Sequence, residues 1–141
     1  MLRFTYPVTL TPDKDDGGYV VIFQDLPEAI TQGDTVEECL MEAADCLAEA
    51  IAARISDSED IPQPTPSKEQ RSVACPIQMA IKAALYLAIR ESGISKRELG
   101  RRLGVDEKSA RRLLDPHYQA RLPAMERALR VLGKTPELTV S

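Results

Sequence analysis

The segment covering residues 93–114 most strongly constrains how this chain folds, because it carries the signals of two short helices joined by a tight turn. Ser95, followed three residues later by Glu98, forms a capping box that predicts a helix start. Gly104 permits the positive φ that a tight turn needs, and Asp106 can cap the second helix. This spacing is typical of a helix-turn-helix, whose second helix enters the major groove of DNA.

Five residues of this segment are predicted to contact DNA: Lys96, Glu107, Lys108, Arg111 and Arg112. Arg111 and Arg112 carry donors that pair with guanine, whereas Glu107 can accept from cytosine or stabilise the helix N-terminus. Lys96 suits a phosphate contact, and Lys108 suits either a phosphate or a base. An ordinary helical hairpin with solvated arginines is the alternative interpretation. Since one such motif reads few bases, we expect a homodimer or homotetramer on a two-fold-related operator.

Charge divides the chain into two parts of opposite sign. Residues 1–75 carry fifteen acidic and five basic side chains, a net charge of −10, whereas residues 76–141 carry seven acidic and thirteen basic ones, a net charge of +6. The basic part suits DNA phosphates, and the acidic part suits a basic protein, although solubility alone would also explain it. We therefore predict two domains, 1–75 and 76–141, with different partners.

The pattern of the first domain predicts a small antiparallel sheet packed by a long helix. The predicted strands cover residues 3–10, 19–23, 29–32 and 73–75. The first two are rich in β-forming residues and flank a hairpin turn that contains two glycines. A second capping box, Thr35 with Glu38, starts a helix that ends near Ile55. The fold class expected for the whole chain is α+β, with an all-α second domain.

Three further segments complete the predicted organisation. Residues 56–72 are rich in serine, proline and charge, which indicates an extended connector. In the second domain, two helices are expected at 79–91 and 123–132, on either side of the helix-turn-helix. Residues 136–140 predict a short terminal strand that is suited to pairing with a second copy of the chain.

The sequence favours a protein that is neither an enzyme nor a membrane protein. It has no Cys/His pair, nucleophile elbow or phosphate-cradling glycine loop, so no catalysis and no cofactor are expected. The three cysteines fit neither a disulfide framework nor a metal site and are expected to be small buried hydrophobes. The chain begins without a leader, and its most apolar run, 77–89, is too short to span a bilayer, so we expect a cytoplasmic protein.

A metal-dependent nuclease is an alternative interpretation of the first domain. Its carboxylates near strand ends are Asp13, Asp15, Asp16, Asp25, Glu28 and Asp34. Carboxylates in such places often bind metal ions, but three of these lie in one hairpin loop, where acidic residues commonly form turns. The pattern therefore favours solvated turn residues over a metal centre.

The order of motifs resembles the HicB antitoxin family. The resemblance is carried by GGYVVIFQDLPEAITQGDTVEE, with IPQPTPS, the helix-turn-helix and ALRVLGKTPELTV following in that order. It implies a first domain similar to a reduced ribonuclease H fold, without nuclease activity, that binds and masks HicA, a small basic toxin that cleaves mRNA. It also implies a second domain that dimerises and represses the toxin–antitoxin operon. Some relatives carry a ribbon-helix-helix there instead, but the spacing in this chain favours a helix-turn-helix.

The resemblance leaves two points open. The candidate toxin-binding residues are Asp25, Glu28 and Asp34, at the loops that flank the third strand; the alternative is the exposed acidic side of the long helix. Gly100 stands where such motifs usually have alanine, and glycine costs about 1 kcal/mol of helix stability, so we expect it to loosen the motif.

A one-component transcription regulator whose first domain senses a small ligand is the alternative function.

Overall fold

The computed structural model describes residues 1–66 and 71–141, which divide into two compact units. The first, here called the sheet unit, is Met1–Ala80, and the second, here called the helical unit, is Ile81–Ser141. The strands are β1 (Thr5–Pro12), β2 (Tyr19–Phe23), β3 (Ile30–Gly33) and β4 (Ser72–Ala74). The helices are α1 (Val36–Ser56), α2 (Ile77–Ser92), α3 (Lys96–Leu103), α4 (Glu107–Leu114) and α5 (Leu122–Val131). The predicted α+β class is confirmed.

The sheet unit is an antiparallel sheet with strand order β3-β2-β1-β4 and α1 packed against it. The register sets Val8 opposite Phe23, and Tyr6 opposite Val73, so that these four buried side chains form one face of the sheet. Helix α1 brings a matching buried stripe, because its apolar residues recur at helical spacing. The stripe consists of Cys39, Ala43, Leu47, Ala50, Ile51 and Ile55.

The connector after α1 lies within the sheet unit, and the part that the structure describes is bound to the first residues of the chain and to β1. Ile61 is buried, and the hydroxyl of Tyr6 donates a hydrogen bond of 2.6 Å to the carbonyl of Pro62. The backbone N–H of Arg3 donates to the side chain of Gln63 at 2.8 Å. The predicted connector, residues 56–72, is confirmed as a segment without helix or strand over residues 59–66, whereas Ser56 ends α1, residues 57 and 58 form a turn, and Ser72 belongs to β4; residues 67–70 lie outside the described residues.

The helical unit has one core to which all four of its helices contribute. Its buried apolar residues include Leu85, Leu99, Leu103, Ala110, Leu113, Leu114, Met125 and Leu129. Both short helices, α3 and α4, therefore place buried residues in this core. The predicted terminal strand is wrong for the single chain, since residues 134–141 form neither helix nor strand and Leu138 and Val140 are 72% and 84% exposed. A strand needs the main chain of a neighbour, and no other described segment of this chain pairs with it.

Candidate nucleic-acid and protein interfaces

Local capping fixes the two short helices and the turn between them. The side chain of Ser95 accepts from the N–H of Glu98 at 3.0 Å, and the side chain of Asp106 accepts from the N–H of Ser109 at 2.7 Å. Gly104 ends α3 in the left-handed conformation, with φ at 72°. The predicted helix starts and turn are therefore confirmed. The carboxylate of Glu98 does not complete the capping box, because it instead binds two arginines.

Those two arginines lie on the exposed side of α3. Arg101 and Arg102 donate to the carboxylate of Glu98 at 2.5 and 3.1 Å. The two guanidinium groups lower the pKa of Glu98 to about 2, so this carboxylate is charged at neutral pH. These ion pairs between residues of α3 neutralise part of the positive charge of the helix. Lys96 and Arg97 are exposed, and no carboxylate in the described part of the chain forms an ion pair with either.

Gly100 is buried where the backbone of the turn crosses α3. A Cβ at this position would lie 2.9 Å from the carbonyl oxygen of Val105 and 3.2 Å from that of Asp106. Val105 is held there by its own N–H, which donates to the carbonyl of Gly100 at 2.9 Å. The glycine therefore does more than weaken the helix, because its missing side chain lets the turn pack closely against α3.

The four predicted DNA-contacting residues of α4 are all exposed: Glu107, Lys108, Arg111 and Arg112. Arg111 forms an ion pair of 2.5 Å with Glu107, one helical turn earlier. The guanidinium of Arg112 lies 5.3 Å from the ring centre of Tyr118, within the range of a cation–π contact. Lys108 forms no ion pair within the described residues. The helix thus presents at least two cations whose charge is not matched by a bound carboxylate.

Basic side chains from outside the pair of helices bind the C-terminal ends of α3 and α4. The ammonium of Lys82, which is fully buried, donates to the carbonyls of Arg112 and Leu113, both at 2.9 Å. Burial lowers the pKa of Lys82 to about 8, although the nearby Asp115 opposes this shift. Arg127 donates to the carbonyl of Leu103 at 2.8 Å. A cation at a helix C-terminus satisfies free carbonyls and offsets their partial negative charge.

Sequence reasoning missed both contacts. The available signal was Lys82 itself, a single charge within the apolar run of α2. A lysine in such a run is rarely buried unless its charge is paired or hydrogen-bonded, so it indicates a buried polar partner. The sequence does not indicate that the partner is the end of α4.

The acidic candidates of the sheet unit differ in how far they are already engaged. Asp25 accepts from both the backbone and the hydroxyl of Thr65. Glu28 accepts two hydrogen bonds from Arg54, at 2.6 and 2.9 Å, and this contact lowers the pKa of Glu28. These two carboxylates hold the connector and the end of α1 in place. Asp34 is exposed and offers its carboxylate to solvent.

The side of α1 that faces away from the sheet forms a larger acidic surface. Here called the α1 acidic face, it consists of Glu37, Glu38, Met41, Glu42, Asp45 and Glu49, all exposed. These positions follow helical spacing, so their side chains lie along one side of the helix. Met41 is 74% exposed and adds an apolar contact among the carboxylates. Asp34 immediately precedes the helix and extends this surface.

The hairpin carboxylates behave as turn residues. The side chain of Asp13 accepts from the N–H of Asp15 at 3.0 Å and from that of Asp16 at 3.3 Å. Within the ranges that the structure covers, no group of three His, Cys, Asp or Glu side chains is arranged to hold a metal ion.

Of the thiols, Cys39 and Cys75 are buried, as predicted, whereas Cys46 is half-buried. No described helix is both long and apolar enough to cross a membrane.

Comparison with known proteins connects this architecture to one family. Residues 5–84 match the family described as a HicB-like antitoxin of a bacterial toxin–antitoxin system. The chain belongs to the HicB antitoxin family. Its relatives include Antitoxin HicB from Escherichia coli K12, Antitoxin HicB 1 from Photorhabdus laumondii and Antitoxin HicB from Pseudomonas fluorescens. The first, from Escherichia coli K12, is 40% identical over 130 residues, which are 92% of this chain and 94% of that protein.

The other two relatives extend the similarity across both units. The protein from Photorhabdus laumondii is 38% identical over 136 residues, 96% of this chain and 85% of its own length. The one from Pseudomonas fluorescens is 31% identical over 137 residues, 96% of this chain and 94% of its own length. Whereas the family match itself covers the sheet unit and the start of α2, these HicB proteins align with nearly the whole chain. Membership supports the role of an antitoxin in a toxin–antitoxin system.

Proposed function

We propose that this HicB-family chain neutralises a HicA-type, mRNA-cleaving toxin through its sheet unit and represses its own operon through its helical unit. It acts in the cytoplasm by binding and without catalysis. The observation that carries the proposal is the coincidence of charge with structure. The sheet unit has a net charge of −10 and the helical unit +6, so the change of sign falls at the boundary between the two compact units.

The proposed toxin-binding surface is the α1 acidic face together with Asp34. A toxin that binds mRNA needs a positive surface, and an acidic helix can cover that surface in place of RNA. Asp25 and Glu28 are engaged with Thr65 and Arg54. Their contribution to toxin binding is therefore indirect, through the loops and helix end that they hold.

The proposed DNA-binding surface is the exposed side of α4 with Lys96 at the start of α3. Lys96 and Lys108 supply phosphate contacts, and the two arginines of α4 face the base edges. Because one α4 covers only a few base pairs, operator binding requires at least a homodimer, in which each copy reads one half-site. The exposed terminal segment, residues 134–141, is the proposed place where copies pair.

Charge reversal on the full-length chain tests the toxin-binding part. Cells that express a HicA-type toxin encoded beside this gene are supplied with the wild-type chain or with Glu42→Lys plus Asp45→Lys, and growth and mRNA integrity are followed. We expect rescue by the wild type and loss of rescue by the variant. Asp15→Lys plus Asp16→Lys is the matched control, since it changes the charge of the same unit equally but at the hairpin.

The outcomes separate a specific surface from a general effect of charge. Loss of rescue by the α1 variant alone supports the proposed face. Equal loss in both variants would reduce the proposal to non-specific attraction, and rescue by both would place toxin binding elsewhere. A neighbouring protein that does not arrest growth would contradict the antitoxin proposal and favour a regulator that senses a ligand.

A further inference from the structure

The two arginines of α4 are held in different ways. Arg111 is bound to Glu107 at 2.5 Å, so its charge is shared with a carboxylate. Arg112 lies against the ring of Tyr118 at 5.3 Å from its centre, and no carboxylate in the described residues forms an ion pair with it. A guanidinium stacked on a ring loses side-chain freedom but keeps its charge, and its N–H donors lie in the plane of the group.

The position of Tyr118 is itself fixed by the end of α4. The N–H of Tyr118 donates to the carbonyl of Asp115 at 3.2 Å, and the N–H of His117 donates to the side chain of the same aspartate at 2.9 Å. These bonds form a turn that brings the ring back toward the helix. The ammonium of Lys82 lies 5.9 Å from the ring centre and also binds the last carbonyls of α4. One buried cation therefore ties the helix end and the ring together.

We propose that Tyr118, which lies outside both helices of the motif, is a positioning residue for operator recognition. Its ring holds the guanidinium of Arg112 in the orientation in which its donors face the DNA. This inference rests on the proposed operator binding. Ordering a long side chain in advance removes part of the entropy loss on binding, an effect worth about 2- to 10-fold in affinity for one such side chain. By this argument Arg112, rather than Arg111, is the more important reader of the operator.

The full-length chain and DNA from upstream of its own gene provide the test, with dissociation constants measured over a range of salt concentrations. We expect Tyr118→Leu to weaken binding by about 2- to 10-fold while Tyr118→Phe, which keeps the ring, binds as the wild type does. The slope of affinity against salt stays unchanged in both, because the number of cations on phosphates is the same. Tyr86→Leu is the control, because it removes a ring that contacts Arg90 at 5.2 Å, together with the hydrogen bond from Arg90 to the hydroxyl, from another helix of the same unit.

A double-mutant cycle separates positioning from general stability. In an Arg112→Ala background, we expect Tyr118→Leu to cause no further loss of affinity, whereas independent effects would multiply. The inference is overturned if the effects of Tyr118→Leu and Arg112→Ala on affinity multiply, or if Tyr118→Leu and Tyr86→Leu weaken binding equally. Neither result would contradict operator binding itself. If Tyr118→Leu fails to fold, Arg112→Lys replaces it, and wild-type affinity in that variant overturns the inference. A wild-type chain that does not bind the DNA at all refutes operator binding, and the inference with it.

Discussion

Replacing Gly100 by alanine sets two opposing effects against each other. Alanine in a helix interior is favoured over glycine by about 1 kcal/mol, so helix propensity alone gives a more stable protein. The structure opposes this gain, because the new Cβ would lie 2.9 Å from the carbonyl oxygen of Val105 and 3.2 Å from that of Asp106. Ordinary contacts begin at about 3.5 Å, and forcing an extra methyl into a packed site costs about 1–3 kcal/mol.

The turn has little freedom to relieve this contact. Both opposing atoms belong to the backbone, and the N–H of Val105 is bound to the carbonyl of Gly100 itself. Arg127 holds the adjacent end of α3 through the carbonyl of Leu103 at 2.8 Å. We therefore expect the steric cost to exceed the gain, with a net loss of about 1 kcal/mol in the free energy of unfolding.

Thermal and urea unfolding, followed by circular dichroism, measure this change. For a unit of this size, the expected loss corresponds to a fall in midpoint of about 4–8 °C. Arg97→Ala, an exposed substitution in the same helix, is the control and is expected to change stability by less than about 0.5 kcal/mol. A Gly100→Ala variant more stable than the wild type would refute the steric argument.

Two further expectations follow from buried polar groups. The folded state lowers the pKa of Lys82 from its ordinary value of 10.5 to about 8. Between these two pH values the unfolded chain binds more protons than the folded one, so the stability from this residue rises with pH there by up to about 1.4 kcal/mol per unit. Urea unfolding of wild type and Lys82→Met at about pH 7.5 and about pH 9.5 checks this, since the difference between them should shift in favour of the wild type; a constant difference would contradict it. Tyr6→Phe removes the 2.6 Å bond to Pro62 and leaves that carbonyl without its partner, so we expect a loss of about 1–2 kcal/mol. Wild-type stability in that variant would show that solvent satisfies the carbonyl.

Local signals in the sequence predicted the elements well, and contacts between distant segments escaped prediction. Thr35, Ser95 and Asp106 cap helices within three residues of themselves, so their roles can be read from spacing alone. Asp25 and Glu28 look equally free in the sequence, but their partners lie 40 and 26 residues away. Such pairings depend on the tertiary fold, which the spacing of residues along the sequence does not reveal.

The terminal segment and Gly100 also show that contacts with distant residues cannot be predicted from local sequence signals. Residues 136–140 have the composition of a strand, but a strand forms only against a neighbouring main chain, which the single chain does not supply within its described residues. Gly100 looks like a defect in a helix until the carbonyl of Val105 is located beside it. In both cases the sequence predicts a local preference, and the surroundings decide the outcome.

The most direct test of the account uses Arg111→Ala with Arg112→Ala in the full-length chain. Operator binding is measured on the purified variant, and toxin rescue is measured in cells that express the same variant. Both side chains are exposed on α4, so the variant should fold, as circular dichroism will verify. If the two units act separately, operator binding falls below detection while growth rescue equals that of the wild type. Loss of both activities in a folded protein would contradict the division of function between an acidic sheet unit and a basic helical unit.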